Sequence, residues 1–269
     1  HPRRRLTRPQ SPYDRKGTSN SKKKKEKKER REKMAFSMMV RRMSAVGVKA
    51  AGGPKKVAVI MSGSGFQDGS EIHETVAVLF HVSKNEATYD CFAPDIPQSE
   101  VINHLDGTSP SSETRNVLTE SARIARGKID PLSKLSAQNY DALFVPGGYG
   151  AAKNLSDFYS KGSQLKLEPD VNRVLQEFKA QKKPIGLCCI SGVLAAKAFP
   201  RCKVTIGGAE QAETITKIGG KFKEAAVDEV VLDNTRLVVT TPAYMHDAPI
   251  HKVFEGIGKM VARVLKLVS

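Results

Sequence analysis

Two adjacent cysteines, Cys188 and Cys189, stand where an apolar run meets an Ala-rich segment. The run 184–188 predicts a buried parallel strand, and 193–198 predicts a helix that follows it after a sharp turn. The unpaired N–H groups and the positive dipole end at the start of such a helix favour thiolate over thiol. The same N–H groups could hold the oxyanion that forms when a thiolate attacks a carbonyl carbon. Cys189 is therefore the candidate nucleophile, whereas Cys188 is either reactive or the last inward residue of the strand.

Glu74 is a candidate proton carrier, because it falls on an otherwise apolar side of a predicted helix. Its carboxyl group is either solvated at the edge of that helix or directed inward. Buried near a cysteine, the carboxyl group would have a raised pKa and could share a proton with the thiol. The neighbouring His73 could approach the same pocket, or it could be a surface residue that only supports it.

Gly147 and Gly148 follow a third candidate strand and could bring backbone N–H groups close to a substrate oxygen. The alternative for both glycines is a tight turn without a chemical role. Another Gly-rich turn, 62–65, follows the first strand, but it lacks the G-x-G-x-x-G spacing of a dinucleotide site.

Strands alternate with helices along residues 55–269, which predicts a single-domain α/β fold. We expect a flavodoxin-like, open, mostly parallel sheet flanked by helices, with Cys189 at a nucleophile elbow. The ligand site of such a sheet lies beyond the carboxyl ends of the strands, where the two glycine turns and the cysteine turn meet. The predicted strands are 56–61, 88–93, 142–145, 184–188, 204–206, 229–232 and 237–240. The predicted helices begin near Glu71 and cover 113–126, 171–180, 193–198 and 250–268, and the polar section 94–138 predicts an insertion or a lid.

Positive charge is concentrated near the N-terminus of the 269-residue chain, whose formal net charge is +16. Residues 1–56 hold 20 of the 44 Lys and Arg residues but 4 of the 28 Asp and Glu residues, so the remainder is neutral. The basic segment 1–33 is predicted to be disordered. It is either a nuclear-localisation or nucleic-acid patch or translated upstream sequence, and Met34 as a plausible initiator favours the second. Segment 34–54 has the composition of a mitochondrial transit peptide, with a flexible leader as the alternative.

Composition argues against several other classes of protein. Aromatic residues make up 6% of the chain and Trp is absent, which disfavours base stacking on nucleic acid. The four cysteines form no C-x-x-C pair and the sequence has no histidines at zinc spacing, which predicts free thiols and no metal site. No run reaches 18 apolar residues, so no membrane span is predicted.

Five phrases of the sequence together resemble a known family: 68–74, 114–118, 150–155, 183–190 and 240–245. They are similar to the ThiJ/PfpI superfamily, which has the class I glutamine amidotransferase-like fold. The similarity is greatest to its ElbB-like glyoxalase branch, which includes mitochondrial glutamine amidotransferase-like domain-containing proteins of animals. The resemblance covers essentially all of 55–269.

The resemblance assigns roles to individual residues of this chain. It implies that Cys189 is the nucleophile, that Glu74 is its partner, and that Gly148 and Ile190 supply oxyanion N–H groups beside Gly147. PfpI-type members carry a histidine directly after the cysteine, and Ile190 occupies that position here. Glutaminase and protease activities are therefore not expected.

The resemblance also implies an activity. We expect cofactor-independent conversion of small 2-oxoaldehydes, such as glyoxal or methylglyoxal, to 2-hydroxy acids through a hemithioacetal on Cys189. The alternative is a non-catalytic or redox-sensing protein with an oxidisable Cys189. A homodimer is expected, to which the apolar face of the terminal helix could contribute. The expected location is mitochondrial, otherwise cytoplasmic, with no metal, organic cofactor, membrane or nucleic-acid partner.

Overall fold

The computed structural model describes residues 53–110 and 112–268. The predicted basic segment 1–33 lies outside the described residues, as does all of the predicted transit segment 34–54 except its last two positions. What the structure describes is an α/β unit in which a central sheet lies between two helical layers.

The strands of the described residues form a seven-stranded sheet and a separate pair. They are β1 (Lys56–Ile60), β2 (Thr88–Ala93), β3 (Ile129–Pro131), β4 (Ala142–Val145), β5 (Ile185–Cys188), β6 (Lys203–Val204), β7 (Lys221–Phe222), β8 (Val231–Asp233) and β9 (Val238–Thr241). The order in the main sheet is β3-β2-β1-β4-β5-β9-β8, and β6 pairs with β7. All neighbours in the main sheet are parallel except β8 and β9 at one edge. The predicted open, mostly parallel sheet is confirmed.

Helices cover both faces of this sheet. They are α1 (Ile72–Lys84), α2 (Val117–Ile124), α3 (Tyr149–Lys153), α4 (Phe158–Lys161), α5 (Pro169–Ala180), α6 (Gly192–Ala198), α7 (Ala212–Ile218) and α8 (Ile250–Leu267). Along β1, Val57 and Val59 pack in the core that contains α1 and α8, whereas Ala58 and Ile60 pack in the core that contains α5 and α6. Because successive side chains of a strand point to opposite faces, one buried strand contributes to both cores.

The terminal helix α8 corrects one expectation. Its apolar residues, including Val253, Ile257, Met260 and Val264, are buried in the same core as α1 and the sheet. This face is therefore occupied within the chain and is not available for the homodimer predicted from the resemblance. No helix of the part described here combines the length and hydropathy that a membrane crossing requires.

The long polar section 94–138 contains α2 and β3 and is bonded to the turn after β1. The N–H of Ile102 donates to Oδ2 of Asp68 at 2.8 Å. The N–H of Gly63 donates to Oγ of Ser121 at 2.9 Å. The section extends the sheet edge and fixes that turn, which fits an insertion better than a free lid.

Two local predictions differ from the structure. The helix predicted over 113–126 begins only at Val117, because the side chain of Asn116 accepts the N–H of Thr119 and caps it there. The strand predicted over 204–206 is the two-residue β6, which pairs with β7 outside the main sheet.

Candidate active site

The strand order creates a crevice beyond the carboxyl ends of β1 and β4. The chain leaves β1 for β2 on one side and later returns to β4 on the other, so β1 and β4 flank a topological switch point. Glu74 lies on α1, which follows β1, and Gly147 follows β4 directly. Cys189 follows β5, the next strand in the sheet.

Cys189 occupies a sharp turn between β5 and α6. Its φ is +58°, in the left-handed region that side chains other than glycine adopt at a cost. Oγ of Ser191 donates to the carbonyl oxygens of Val145 at 2.9 Å and Cys188 at 2.6 Å, which holds the turn against β4. The residue is 7% exposed, whereas Cys188 is fully buried. This is the elbow predicted from the sequence.

Glu74 is directed inward, which is one of the two alternatives left open by the sequence. It is fully buried, and Oε2 accepts the N–H of Gly147 at 3.0 Å while Oε1 accepts the N–H of Tyr244 at 3.1 Å. Sγ of Cys188 lies 3.8 Å from Oε2. The N–H of Glu74 itself donates to Oε2 of Glu71 at 2.6 Å, so Glu71 caps the start of α1.

Burial dominates the protonation of these groups. Burial, reinforced by the negative charge of Glu71, raises the pKa of Glu74 from 4.5 to about 7. Burial and then the charge of Glu74 raise the pKa of the Cys189 thiol well above its usual value. The start of the helix is therefore not sufficient to lower the pKa of this thiol, because burial and then the charge of Glu74 outweigh the N–H groups of the turn.

Backbone N–H groups nevertheless approach the sulfur. Those of Gly148 and Ile190 are directed at the Cys189 thiol closely enough to lower its pKa in part. A Cβ on Gly147 would lie 2.5 Å from Oε2 of Glu74 and closer still to Cβ of Cys189, so only glycine fits there. Gly148 has a φ of +94° and stands at the start of α3. Three residues, Gly147, Gly148 and Ile190, thus lie around the side chain of Cys189.

A pocket of about 140 Å³ opens onto Cys189. Its apolar and aromatic wall consists of Phe66, Tyr149, Ile190, Tyr244 and Met245. Glu71 and Gly148 complete the lining together with the cysteine. Such a volume is below the range of drug-sized ligand pockets, which suits a small molecule.

Several of these residues were missed by the sequence analysis. Glu71 appeared there only as the start of a helix, and its side chain both caps α1 and faces the pocket. Tyr244 lies in one of the phrases that resemble the family, which was the available signal. Phe66 and Tyr149 adjoin the glycine turns, but nothing in their local sequence shows that their side chains line the same pocket.

His73 lies beside the pocket without lining it. Its Nδ1 is 3.0 Å from Oη of Tyr244 and 3.9 Å from Oε1 of Glu71, and its side chain is 54% exposed. It therefore contacts two lining residues from the solvent side. No histidine among the described residues lines the pocket.

The residues in the structure offer no cluster of three or more His, Cys, Asp or Glu side chains that could hold a metal ion. The four cysteines, all within the described ranges, are free thiols.

Comparison with known proteins identifies close relatives by sequence. No protein-family model matches the chain. A rat protein named ES1 protein homolog, mitochondrial, is 48% identical over 222 residues, which cover 79% of this chain and 84% of the relative. Human glutamine amidotransferase-like class 1 domain-containing protein 3, mitochondrial, is 49% identical over 222 residues, covering 79% and 83%. Both names agree with the mitochondrial location predicted from the sequence.

A solved structure supports the same relationship. The crystal structure of an isoprenoid biosynthesis protein with an amidotransferase-like domain from Ehrlichia chaffeensis matches with a TM-score of 0.74 at 34% identity. The match covers 78% of this chain and 99% of that protein. The chain therefore belongs to the family of mitochondrial ES1 and glutamine amidotransferase-like class 1 domain-containing proteins, which agrees with the glutamine amidotransferase-like fold that its motifs indicated.

Proposed function

We propose that this protein converts small 2-oxoaldehydes such as glyoxal and methylglyoxal to 2-hydroxy acids without a metal or organic cofactor. The observation that carries the proposal is the arrangement of groups around the sulfur of Cys189. Cys189 opens onto a small pocket, shares a buried carboxyl group with its neighbour, and receives the N–H groups of Gly148 and Ile190. A nucleophile, a proton carrier and oxyanion donors are the parts that carbonyl addition requires.

The reaction begins with transfer of the thiol proton of Cys189 to the ionised Glu74. The sulfur then forms a bond to the aldehyde carbon, and the carbonyl electron pair moves onto the oxygen. The N–H groups of Gly148 and Ile190 stabilise that oxyanion. Return of the proton from Glu74 to the oxygen gives a neutral hemithioacetal.

The same carboxylate then carries the carbon-bound proton. Glu74 removes the hydrogen from the former aldehyde carbon to give an enediolate. The hydroxyl proton of that carbon moves to the neighbouring oxygen, and Glu74 delivers the removed hydrogen to the adjacent carbon to give a thioester. Water cleaves the bond between carbon and sulfur, which releases the 2-hydroxy acid and restores the thiol of Cys189. One carbon is oxidised as its neighbour is reduced, so no external oxidant or reductant takes part.

A pKa near 7 suits Glu74 to this exchange. At neutral pH the carboxyl group is close to half ionised, so it can both accept and donate a proton. Because the thiol stays neutral beside a charged Glu74, the pair holds two protons below the pKa of Glu74 and one proton, on the sulfur, above it.

Replacement of each cysteine tests the assignment. Methylglyoxal consumption and lactate formation are measured with the whole chain in the absence of glutathione. We expect Cys189→Ala to lower turnover by roughly 10³-fold or more, because the nucleophile is lost. Cys188→Ala, which removes a neighbouring thiol from the same carboxylate, is the matched control and should lower turnover by about tenfold at most. Equal losses in the two variants would refute the nucleophile assignment.

A second candidate function is redox sensing by Cys189, favoured by the lack of a histidine in the lining of the pocket. In this function a peroxide oxidises the sulfur to sulfenic and then sulfinic acid. Mass spectrometry of the peptide that contains Cys189 after hydrogen peroxide treatment distinguishes it. Rapid oxidation of wild-type protein that lacks 2-oxoaldehyde turnover would favour the sensor.

A further inference from the structure

We propose that the pocket selects uncharged 2-oxoaldehydes with an aryl substituent, and that it rejects 2-oxo acids. This inference rests on the proposed function and names its substrate class. Its basis is the combination of aromatic side chains in the pocket wall with a lining that contains the carboxyl group of Glu71 and, among the described residues, no Lys or Arg.

The mouth of the pocket is formed by two aromatic rings. Phe66 and Tyr149 are 48% and 46% exposed, so each side chain is reachable from solvent. The N–H of Tyr149 donates to the carbonyl oxygen of Phe66 at 2.7 Å, so the two residues are tied together. Both line the pocket that contains Cys189.

These rings are held in position by other aromatic groups. Phe66 meets the ring of His104 edge-on, with centroids 5.4 Å apart. Tyr149 meets Tyr159 edge-on at 6.0 Å. Pre-positioned rings can pack on an apolar substituent without first losing side-chain freedom, and an aryl group gains further from edge or offset stacking.

The charge in the lining is negative. Glu71 lines the pocket, and Glu74 lies directly behind Cys189. A substrate carboxylate bound beside the sulfur would therefore face two acidic groups in an enclosed site, where repulsion between like charges is weakly screened.

The amino group of Lys153, which lies near the pocket, is bonded to other groups of the protein. Lys153 donates to Oε2 of Glu100 at 2.7 Å and to the carbonyl oxygen of Gln67 at 2.9 Å, and its amino group lies 4.3 Å from the ring centroid of Tyr159. No Lys or Arg of the described ranges lines the pocket. The pocket thus lacks the cationic side chain that recognition of a carboxylate requires.

The test compares three aldehydes that differ in their substituent: glyoxal, methylglyoxal and phenylglyoxal. We expect kcat/KM for phenylglyoxal, measured as mandelate formation, to exceed that for glyoxal by about tenfold or more. Benzoylformate, which replaces the aldehyde of phenylglyoxal with a carboxylate, is expected not to inhibit at concentrations equal to the KM of phenylglyoxal. Equal kcat/KM values, or inhibition by benzoylformate at that concentration, would overturn the proposal.

Two variants attribute the selectivity to named residues. Phe66→Ala should lower the ratio of kcat/KM for phenylglyoxal to that for glyoxal by about tenfold. Phe80→Ala is the matched control, because Phe80 is a similarly exposed phenylalanine on α1 outside the pocket, and it should leave the ratio unchanged. Glu71→Gln should make benzoylformate an inhibitor. A ratio that falls equally in both phenylalanine variants would contradict the assignment.

A binding measurement separates failure of the substrate class from failure of the reaction. Reversible addition of an aldehyde to Cys189 slows its alkylation by iodoacetamide, which peptide mass spectrometry follows without turnover. Stronger protection by phenylglyoxal than by glyoxal, in a protein that turns over neither, would support the substrate class and overturn the proposed function. Turnover of all three aldehydes with equal protection would support the function and overturn the substrate class.

Discussion

The titrations of Cys189 and Glu74 are coupled, because each group affects the pKa of the other in addition to the larger effect of burial. The charge of Glu74 raises the pKa of the thiol, and the thiol donates to the carboxylate, which moderates the rise in the pKa of Glu74. Substrate attack requires that the carboxyl group be ionised first, so that it can take the thiol proton. The rate of attack should therefore rise with pH through the pKa of Glu74, near 7.

Replacement of Glu71 should shift this pH dependence of the rate. Its negative charge contributes to the raised pKa of Glu74, so Glu71→Gln should lower this pKa from about 7 towards 4.5. A glutamine retains a side-chain oxygen that can cap α1. We expect the rise of kcat/KM for methylglyoxal to occur at lower pH in the variant.

The control for Glu71→Gln removes one negative charge elsewhere. Glu255 lies on α8 and pairs with Lys252 on the surface, so Glu255→Gln should leave the pH dependence unchanged. The same pH dependence in wild type and Glu71→Gln would show that the carboxyl group of Glu71 does not act on Glu74.

At the scale of secondary structure, the sequence predicts three of the four segments that meet at the site. Parallel strands place their carboxyl ends at one edge, so the turns after β1, β4 and β5 had to converge once the strands were recognised. The fourth segment contains Tyr244 and follows β9. It reaches Glu74 because β9 pairs with β5, with Thr241 opposite Cys188, and no local pattern encodes that pairing.

The terminal helix shows the same difference between what a local sequence pattern predicts and what tertiary packing determines. Its periodicity predicts an amphipathic helix over 250–268, and the structure has α8 at Ile250–Leu267. Periodicity identifies an apolar face but not the surface that covers it. The structure supplies α1 and the sheet as that surface, and the homodimer stays a prediction that needs another face.

Gly147, in the turn after β4, lies close to both Cys189 and Glu74. Its substitution by alanine would place a methyl group against both side chains, and rearrangement of that kind costs about 1–3 kcal/mol. We expect Gly147→Ala to lower stability by this amount and to lower methylglyoxal turnover by roughly 10²-fold through displacement of the sulfur and the carboxylate.

Gly127→Ala separates the loss of stability from the loss of turnover. Gly127 has a φ of +76°, and an added Cβ would meet nothing within 4 Å. Its replacement should therefore cost about 1 kcal/mol through backbone strain and leave turnover intact. Urea denaturation and initial rates are measured on both variants, and normal turnover in Gly147→Ala would contradict the steric argument.

The buried carboxyl group also affects the stability of the whole molecule. The pKa of Glu74 is about 7 in the folded protein and near 4.5 when unfolded, so the folded state holds its proton between these values while the unfolded state releases it. Unfolding is therefore favoured as pH rises through this range, and the loss of stability is complete above pH 7. The contribution amounts to about 3 kcal/mol.

Glu74→Gln should remove this pH dependence. The difference in free energy of unfolding between variant and wild type should shift in favour of the variant by about 3 kcal/mol between pH 4.5 and pH 8. Urea denaturation at a series of pH values measures it. Parallel stability curves for the two proteins would mean that the carboxyl group is not desolvated as the structure indicates.

The left-handed backbone at Cys189 lowers the stability of the fold at the position of the proposed nucleophile. Any residue with a Cβ is strained at a φ of +58°, so glycine would have the least backbone strain at this position. Glycine, however, has no thiol. We expect Cys189→Gly to be about 1 kcal/mol more stable than Cys189→Ala in urea denaturation, the reverse of the usual order for a loop or strand. In the proposed function, stability and turnover therefore make opposite demands on this one position.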